Sequence, residues 1–569
     1  MKRVIFSTLF LLTVWILVAQ NGNAPIYDIQ KSVFAEKAMV VTAHPLASKV
    51  GLEILRAGGN AVDASIAVHF ALAVVYPQAG NIGGGGFLVY RKADGEVAAL
   101  DYREMAPGLA GKDMFLDEKG NPVPGLSTLG CLSAGVPGSV DGMYEVFKKY
   151  SKLKDWKKLI QPAVRLASKG FPITKQEADN LNDLKNDFEK YNTVKPVFVK
   201  TGMWKPGDVL IQKDLANTLR LIRDRGRNGF YEGPVAAKIV SQMKASGGII
   251  SSEDLKNYRS IWRKPLSGKY RGYDITGMPA PSSGGIALLQ LLGIVEHANL
   301  ASYGFHSPRA VHLMIEAERR VYADRATHLG DPDFFNVPTT QLLNPGYLMS
   351  RYQSIDTAVA TKSAAISAAD FKGHESDQTT HFSVVDPYGN AVSCTTTLNN
   401  SYGSKTVVAG AGFLLNDEMD DFSVKPGVPN MYGLVGAEAN AIAPRKRMLS
   451  SMTPTIVSKD GKLFMVLGSP GGSTIITTVF QSIVNVIDFG MSAKDATFAP
   501  RFHQQWLPEH SSIERDGKLP EQTLQALESK GHEFKERGYI GRLEMILVKP
   551  DGKFEGAADK RGDDHAEGY

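Results

Sequence analysis

The stretch ESDQTTHFSVVD, residues 375–386, decides how the rest of this sequence is interpreted. Acidic and polar residues lead to two threonines, Thr379 and Thr380, and a strand pattern begins directly after them. Two interpretations are open. The segment could be a polar turn that starts a strand, or it could be the point where the chain cuts itself and exposes a threonine as a new N-terminal residue.

The second interpretation has a chemical basis. A threonine hydroxyl is a weak nucleophile unless a base lies beside it, and the α-amine of an N-terminal threonine can be that base. Its pKa of roughly 7.7–8 leaves a useful neutral fraction near neutral pH. This requires cleavage between Gln378 and Thr379. On these residues alone a polar strand start is the simpler interpretation, so the choice depends on the rest of the chain.

Composition excludes several classes of protein. The chain of 569 residues is 43% hydrophobic and 22% charged, which is typical of a globular protein, and no linker divides it. The net charge is only +5, and no basic cluster with interleaved aromatic residues occurs, so nucleic acid is not expected as a partner. The sequence contains no HExxH, no paired CxxC and no GxGxxG. We therefore expect no metal and no cofactor.

The N-terminus has the pattern of a signal peptide. Two basic residues precede the apolar run VIFSTLFLLTVWILVA, and the small residue Ala24 follows. We predict a signal peptide over residues 1–24 and export to the periplasm or the cell exterior. Because Pro25 would slow cleavage after Ala24, an uncleaved membrane anchor is the alternative.

Export exposes cysteines to an oxidising compartment, yet the chain has only Cys131 and Cys394. One disulfide is possible. Both residues flank apolar, strand-like runs, so we expect two buried free thiols instead.

Hairpins alternate with helical blocks along the chain. FLVYR with VAALDYRE and THFSVVD with AVSCTTTL are predicted hairpins, whereas residues 58–80 have a helical pattern. This order indicates antiparallel sheet covered by helices. Four glycines at 83–86 predict a close approach between backbones. The Pro/Gly-rich segment 426–447 lacks a period and has few apparent anchors, so we expect a mobile surface loop.

Many short blocks, spread from about residue 30 to Tyr569, carry a family resemblance. The sequence strongly resembles the γ-glutamyltransferases (γ-glutamyltranspeptidases), which are N-terminal-nucleophile hydrolases. The blocks that carry the resemblance are GGNAVDA, PQAGNIGGGGF, DYREMAP, PSSGG, YADR, LGDPDF, QTTHFSVVD, TLN, MDDF, PNMYGLVG, RMLSSMTPT, GSPGGS and APRFHQQW.

The resemblance implies a fold and a maturation route. The fold would be α+β, a four-layer αββα sandwich with antiparallel sheets. The precursor would cleave itself between Gln378 and Thr379. After loss of residues 1–24, a large chain 25–378 and a small chain 379–569 would stay together as a heterodimer in one compact body.

The resemblance also implies catalytic roles. Thr379 would be the nucleophile, with its own amine as base, and the hydroxyl of Thr397 would support it. The N–H groups of Gly471 and Gly472 would stabilise the oxyanion. A plain close-packed turn is the alternative for GSPGGS.

Substrate contacts follow from the chemistry of a γ-glutamyl group, which presents an α-carboxylate and an α-ammonium. The resemblance assigns Arg103, Ser450 and Ser451 to the carboxylate. A structural salt bridge with Asp101 or Glu104 is the alternative for Arg103.

The ammonium is assigned to Asn399, Glu418 and Asp421. The run NDEMDDF would otherwise be interpreted as a solvated charged loop, and some relatives have Gln where this chain has Glu418. Tyr432 would close the segment 426–447 over the site as a lid. The alternative is a surface loop that does not contact the site.

The implied function is that of an exported γ-glutamyltransferase. Glutathione and other γ-glutamyl compounds would be donors, and water, amino acids or dipeptides would be acceptors. Two rivals are weighed. A glutaryl-cephalosporin acylase acts on a substrate without an α-amine, so acids at 418 and 421 would serve no purpose there. A catalytically dead exported binding protein would not need Thr379, Arg103 and Asp421 together.

Overall fold

The computed structural model describes residues 26–366, 379–431 and 433–569. The predicted signal peptide 1–24, Gln378 and Tyr432 therefore lie outside the described residues. Over the described ranges, no helix combines the length and the apolar character needed to cross a membrane.

Two antiparallel sheets form the centre of the molecule, and each has seven strands in the described part of the chain. From edge to edge, the first sheet contains Ser32–Ala35, Phe554–Ala558, Glu544–Val548, Lys462–Gly468, Thr455–Lys459, Tyr273–Gly277 and Leu266–Tyr270. The second sheet contains His565–Gly568, Met39–Thr42, Thr380–Val385, Ala391–Thr397, Gly85–Arg91, Val97–Asp101 and Ile261–Arg263.

Helices cover the outer face of each sheet. On the side of the second sheet lie Pro45–Arg56, Ala61–Val75, Ser139–Tyr150, Trp156–Lys169, Lys175–Asp183, Lys185–Lys190, Lys213–Arg225, Asn228–Tyr231, Gly233–Ala245 and Ser252–Asn257. On the side of the first sheet lie Gly284–Val295, Leu300–Tyr303, Pro308–His328, Thr339–Leu342, Pro345–Gln353, Thr474–Ile487, Ala493–Phe498 and Glu521–Ser529.

An apolar layer lies between the sheets and includes Met39, Phe87, Ile456 and Ile546. Helix, sheet, sheet and helix thus follow one another, and the predicted αββα sandwich is confirmed. The layers are stable because each sheet buries one face against the other sheet and its other face against helices.

The strand that follows Thr379 lies inside the second sheet. Thr380–Val385 pairs with Met39–Thr42 on one side and with Ala391–Thr397 on the other. Beside it, the predicted close approach at the glycines is confirmed. A Cβ atom added to Gly84 would lie 2.0 Å from the carbonyl oxygen of Thr397, so only glycine fits there.

Both cysteines are buried and free, as expected. The Sγ atom of Cys394 lies 3.1 Å from the hydroxyl of Tyr102, and burial raises the pKa of Cys394 to about 12. Such a thiol is unreactive near neutral pH.

The expectation of few anchors in segment 426–447 is wrong for its second half. The side chain of Asn440 donates to the carbonyl of Asp421 (2.7 Å) and accepts from the backbone N–H of Leu449 (3.0 Å). The buried Lys446 ammonium donates to the carbonyls of Ala439 and Ala441. These anchors are polar, so the search for apolar periodicity could not find them.

Candidate active site

Thr379 directly precedes the strand Thr380–Val385, with its side chain facing a pocket. Its hydroxyl is 3.4 Å from the hydroxyl of Thr397. Thr397 already accepts a hydrogen bond of 2.8 Å from the backbone N–H of Asn399. The Thr397 hydroxyl therefore has its own hydrogen left to donate towards Thr379.

The pocket brings together residues that are far apart in the sequence. Its lining consists of Arg103, Thr379, Thr397, Asn399, Glu418, Asp421, Leu434, Ser450, Ser451, Met452, Gly472 and Ile475. All predicted site residues within the described ranges lie here, except Gly471. Gly471 lines a second cavity, which also contains Thr379.

Arg103 follows the strand Val97–Asp101, and hydrogen bonds of its own backbone hold it in position. Its N–H donates to the carboxylate of Asp101 (3.0 Å), and its carbonyl accepts from the hydroxyl of Tyr258 (2.7 Å). The side chain does not pair with Asp101, which forms an ion pair with Arg263 instead. A terminal nitrogen of Arg103 lies 3.5 Å from the carboxylate of Glu104. Of the two structural salt bridges considered for Arg103, the one with Glu104 is thus present and the one with Asp101 is not.

The principal partners of the Arg103 guanidinium are Glu418 and Asp421, to which it donates directly. Its remaining bonds run to the carbonyls of Met448 (3.3 Å) and Leu449 (3.1 Å). Because the ion pairs lie inside the pocket, they leave only about 20 Å³ of open volume. That volume holds about one or two water molecules.

Three carboxyl groups lie around the guanidinium of Arg103, and two of them, Glu418 and Asp421, line the pocket. The third belongs to Glu104. Burial raises the pKa of Glu104 to about 7 and also raises the pKa of Glu418 and of Asp421, while Arg103 opposes each shift. Because these acids outnumber the nearby arginine, the site favours an added cation.

The acidic run NDEMDDF is buried, so it is not a solvated loop. Its four acids have different partners. Glu418 and Asp421 face the pocket, whereas Asp420 accepts from the hydroxyl of Ser127 (2.6 Å) and from the N–H of Met431 (2.9 Å). Asp417 accepts from the N–H of Asn400 (2.9 Å). Asp420 thus ties the segment after residue 426 to the edge of the site.

Ser450 and Ser451 line the pocket through different contacts. The Oγ atom of Ser450 accepts from the N–H of Met452 (3.1 Å). The Oγ atom of Ser451 accepts from the guanidinium of Arg325 (3.1 Å), which also donates to Ser283 (2.9 Å). Sequence reasoning did not assign a role to Arg325. Its only signal was the block YADR, where it is one more basic residue near the end of a helix.

The GSPGGS turn joins the strand Lys462–Gly468 to the helix Thr474–Ile487. Gly471 has φ +132° and Gly472 has φ +54°, values that disfavour any other residue. The N–H groups of Thr474 and Ile475 donate to the carbonyls of Gly471 (2.9 Å) and Gly472 (3.3 Å). These hydrogen bonds within the turn therefore use the carbonyls of Gly471 and Gly472 and do not involve the N–H groups of either glycine.

Comparison with known proteins identifies the family. Residues 47–569 match the family model described as Gamma-glutamyltranspeptidase. The chain belongs to the gamma-glutamyltranspeptidase family. The glutathione hydrolase proenzyme of Escherichia coli (strain K12) is 47% identical over 550 residues, 95% of this chain and 94% of that protein. The glutathione hydrolase proenzyme of Pseudomonas sp. (strain A14) is 48% identical over 575 residues, 99% of this chain and 98% of that protein.

Among solved structures, the cephalosporin acylase from Bacillus halodurans superposes with a TM-score of 0.84 at 27% identity, covering 97% of this chain and 99% of that one. The chain thus shares its fold with that acylase but is closer in sequence to the two proenzymes. It is an enzyme of the γ-glutamyltransferase type, and the acylase reading is the less supported of the two.

Proposed function

We propose that this gamma-glutamyltranspeptidase is exported, cleaves itself between Gln378 and Thr379, and acts as the associated chains 25–378 and 379–569. It cleaves the γ-glutamyl amide of glutathione and related compounds and passes the acyl group to water, amino acids or dipeptides. The observation that carries this proposal is the single pocket in which Thr379 meets one guanidinium and an excess of carboxyl groups.

The charges of this pocket match those of the donor. In the proposed complex the α-carboxylate binds Arg103, Ser450 and Ser451, and the α-ammonium binds Glu418, Asp421 and Asn399. A zwitterion can replace the direct ion pairs of Arg103 with matching contacts to each side. A glutaryl group has no ammonium to offset the acids, which supports the γ-glutamyl donor.

The proposed reaction is covalent. The Oγ atom of Thr379 attacks the γ-carbonyl carbon while the α-amine of the same residue takes its proton. The N–H groups of Gly471 and Gly472 stabilise the oxyanion, and the hydroxyl of Thr397 donates to Oγ. The protonated amine then passes its proton to the leaving nitrogen as the C–N bond breaks. Water or an acceptor amine attacks the resulting ester and restores Thr379.

The choice of base is supported by the lining of the site. Among described residues, neither cavity beside Thr379 has a histidine in its lining. The same hydroxyl would carry out maturation. Its attack on the carbonyl carbon of Gln378 releases the amine of Thr379, and water hydrolyses the ester that forms.

The test uses the full chain. Purified protein is analysed by denaturing gel and N-terminal sequencing and assayed with γ-glutamyl-4-nitroanilide, with and without glycylglycine. Wild type should give two chains, with the small one starting at Thr379. Thr379→Ala should remain one chain, whereas the matched control Thr380→Ala should be cleaved. A small chain that starts elsewhere, or a cleaved Thr379→Ala, would overturn the proposal.

The same sequencing tests export. We expect the large chain of protein recovered outside the cytoplasm to lack residues 1–24. A large chain that still begins at Met1 would contradict signal-peptide removal.

A further inference from the structure

The second cavity beside Thr379 contains a cation with unused hydrogen-bond donors. We infer that this cavity binds the amine portion of the donor and afterwards the acceptor, and that Arg542 binds the terminal carboxylate of either. The inference rests on the proposed function, because it takes Thr379 as the nucleophile.

The two cavities share Thr379 and divide the glycine turn between them. Gly472 lines the pocket of Arg103, and Gly471 lines the second cavity. A carbonyl held at Thr379 with its glutamyl side in the first pocket must therefore direct its nitrogen side into the second cavity. That cavity has a volume of about 200 Å³. This is more than ten times the volume that one water needs, so a dipeptide fits.

The second cavity has two arginines in its lining, but they differ in their free donors. All five N–H groups of Arg561 are used: they donate to the carboxylates of Glu514 and Asp559 and to the carbonyls of Thr497 and Ala499. Arg561 is therefore a structural residue.

Arg542 has donors to spare. Its Nε and one terminal nitrogen donate to the same oxygen of Asp564 (3.1 and 2.8 Å), and the other terminal nitrogen donates to the hydroxyl of Tyr76. Three of its five N–H groups are thus used. The other two have no partner within residues 26–366, 379–431 and 433–569. Two donors on one planar guanidinium suit a carboxylate.

The position of Arg542 is held before any ligand binds. Its backbone N–H donates to the hydroxyl of Ser469 (2.9 Å), which belongs to the GSPGGS turn. The buried Arg501 donates to the carbonyls of Ile540 (2.8 Å) and Gly541 (3.2 Å), the two residues before it. The side chain is 13% exposed and its partner Asp564 is fully buried. Such an arrangement keeps the guanidinium in place at the wall of the cavity.

The ligand class follows from these contacts. It is an amino acid or short peptide with a free terminal carboxylate, bound with its nitrogen towards Thr379. An amide or an uncharged anilide would leave the free donors of Arg542 without a charged partner. The cavity should therefore discriminate between leaving groups and between acceptors by the presence of a carboxylate.

The first measurement uses wild-type processed enzyme and two matched pairs. The donors are γ-glutamyl-4-nitroanilide and its 3-carboxy derivative, and the acceptors are glycylglycine and glycylglycinamide. Charge-assisted bonds of this kind correspond to a factor of about 10 to 100. We expect kcat/KM to favour the carboxylated member of each pair by that factor. Equal values for both members of both pairs would overturn the inference.

The second measurement uses variants. Arg542→Gln should lower the ratio of kcat/KM for carboxylated over uncarboxylated partners by about 10- to 100-fold, and Arg542→Lys should restore part of the ratio. Because Arg542→Gln leaves the buried Asp564 unpaired, the double variant Arg542→Gln/Asp564→Asn provides a version without that charge. The exposed Arg515→Gln is the control and should keep the wild-type ratio. An unchanged ratio in the Arg542 variants would also overturn the inference.

The two proposals fail differently. If the proposed function is wrong, wild type turns over neither donor. If only the present inference is wrong, wild type turns over both donors and does not distinguish them by their carboxylate.

Discussion

Arg103 and Asp421 form an ion pair inside the pocket that Thr379 faces. The guanidinium is fully buried and the carboxylate nearly so. A γ-glutamyl donor would have to separate this pair and supply a carboxylate to one partner and an ammonium to the other. The pair therefore keeps the two charges satisfied before the donor binds, since an unpaired charge at such a depth is costly.

Substitution of either partner should weaken donor turnover. Arg103→Ala and Asp421→Ala each remove a charge-assisted contact worth about 1.5–3 kcal/mol, so kcat/KM for a γ-glutamyl anilide should fall about 10- to 100-fold. Maturation should survive in both, because it involves no bound donor. Asp417→Asn is the matched control from the same acidic run, because Asp417 is not in the pocket lining and accepts from the N–H of Asn400, which an amide oxygen can also do. Wild-type turnover by either alanine variant would show that the donor is bound elsewhere.

Arg325 should act on donor affinity through Ser451. Its guanidinium bonds Ser451 and Ser283 from two different nitrogens. A lysine carries all its donors on one nitrogen and does not reproduce contacts made from two, so Arg325→Lys should raise KM about 10-fold, with a smaller effect on kcat. The control is Arg309→Lys, an exposed position on the same helix. Steady-state kinetics of both variants test this prediction, and an equal KM in the two would rule out that Arg325 positions Ser451.

The lid prediction can be tested with a deletion that spares Asn440. Leu434 lines the pocket and Met431 is bonded to Asp420, whereas Asn440 supports Asp421. Replacing residues 428–435 by a short Gly/Ser bridge should therefore keep the donor site and maturation. We expect it to change the ratio of hydrolysis to transfer and to admit bulkier donors. Product ratios and donor range are measured on the processed variant, and wild-type values for both would mean that the segment is not a lid.

Asn440→Ala provides the contrasting variant. It removes buried hydrogen bonds to Asp421 and Leu449. Because a lost buried bond costs about 1–3 kcal/mol, kcat/KM should fall about 10-fold while the hydrolysis-to-transfer ratio stays nearer the wild-type value. If this variant instead reproduced the product ratios of the deletion, the two halves of the segment would share one role.

The thermal stability of the enzyme should depend on pH through Glu177. Burial raises the pKa of this carboxyl from 4.5 to about 8. Between these values the folded chain binds more protons than the unfolded chain. The contribution of Glu177 to stability is thus complete below pH 4.5 and is lost as the pH rises through about 8. Raising the pH from 5 to 9 should lower the Tm of wild type relative to that of Glu177→Gln.

The control for the Glu177 prediction is a nearby carboxyl group that is not buried. Asp179→Asn changes an exposed carboxyl in the same helix and should follow wild type across the range. A constant difference in Tm between wild type and Glu177→Gln at pH 5, 7 and 9 would contradict the assignment.

Local pattern in the sequence was enough to predict antiparallel sheet covered by helices, whereas the four-layer sandwich was implied by the family resemblance. The strand after Thr379, the helix predicted within residues 58–80 and the glycines at 83–86 each restrict only nearby backbone, and the structure contains all three. Their order along the chain then favoured antiparallel sheets covered by helices. The anchors of segment 437–447 were missed because they are single polar side chains without a period.

The assembly of the site was decided by the tertiary structure. Arg103 and Glu418 are separated by 315 residues, and Tyr76 and Arg542 by 466. Motifs supplied the chemical types at Arg103 and Glu418, but no local rule states that Arg103 pairs with acids, that Arg325 supports Ser451, or that Arg561 is saturated while Arg542 is not. These facts depend on which side chains meet when two sheets stack, because burial forces each polar group to use whatever partners the distant chain brings to it.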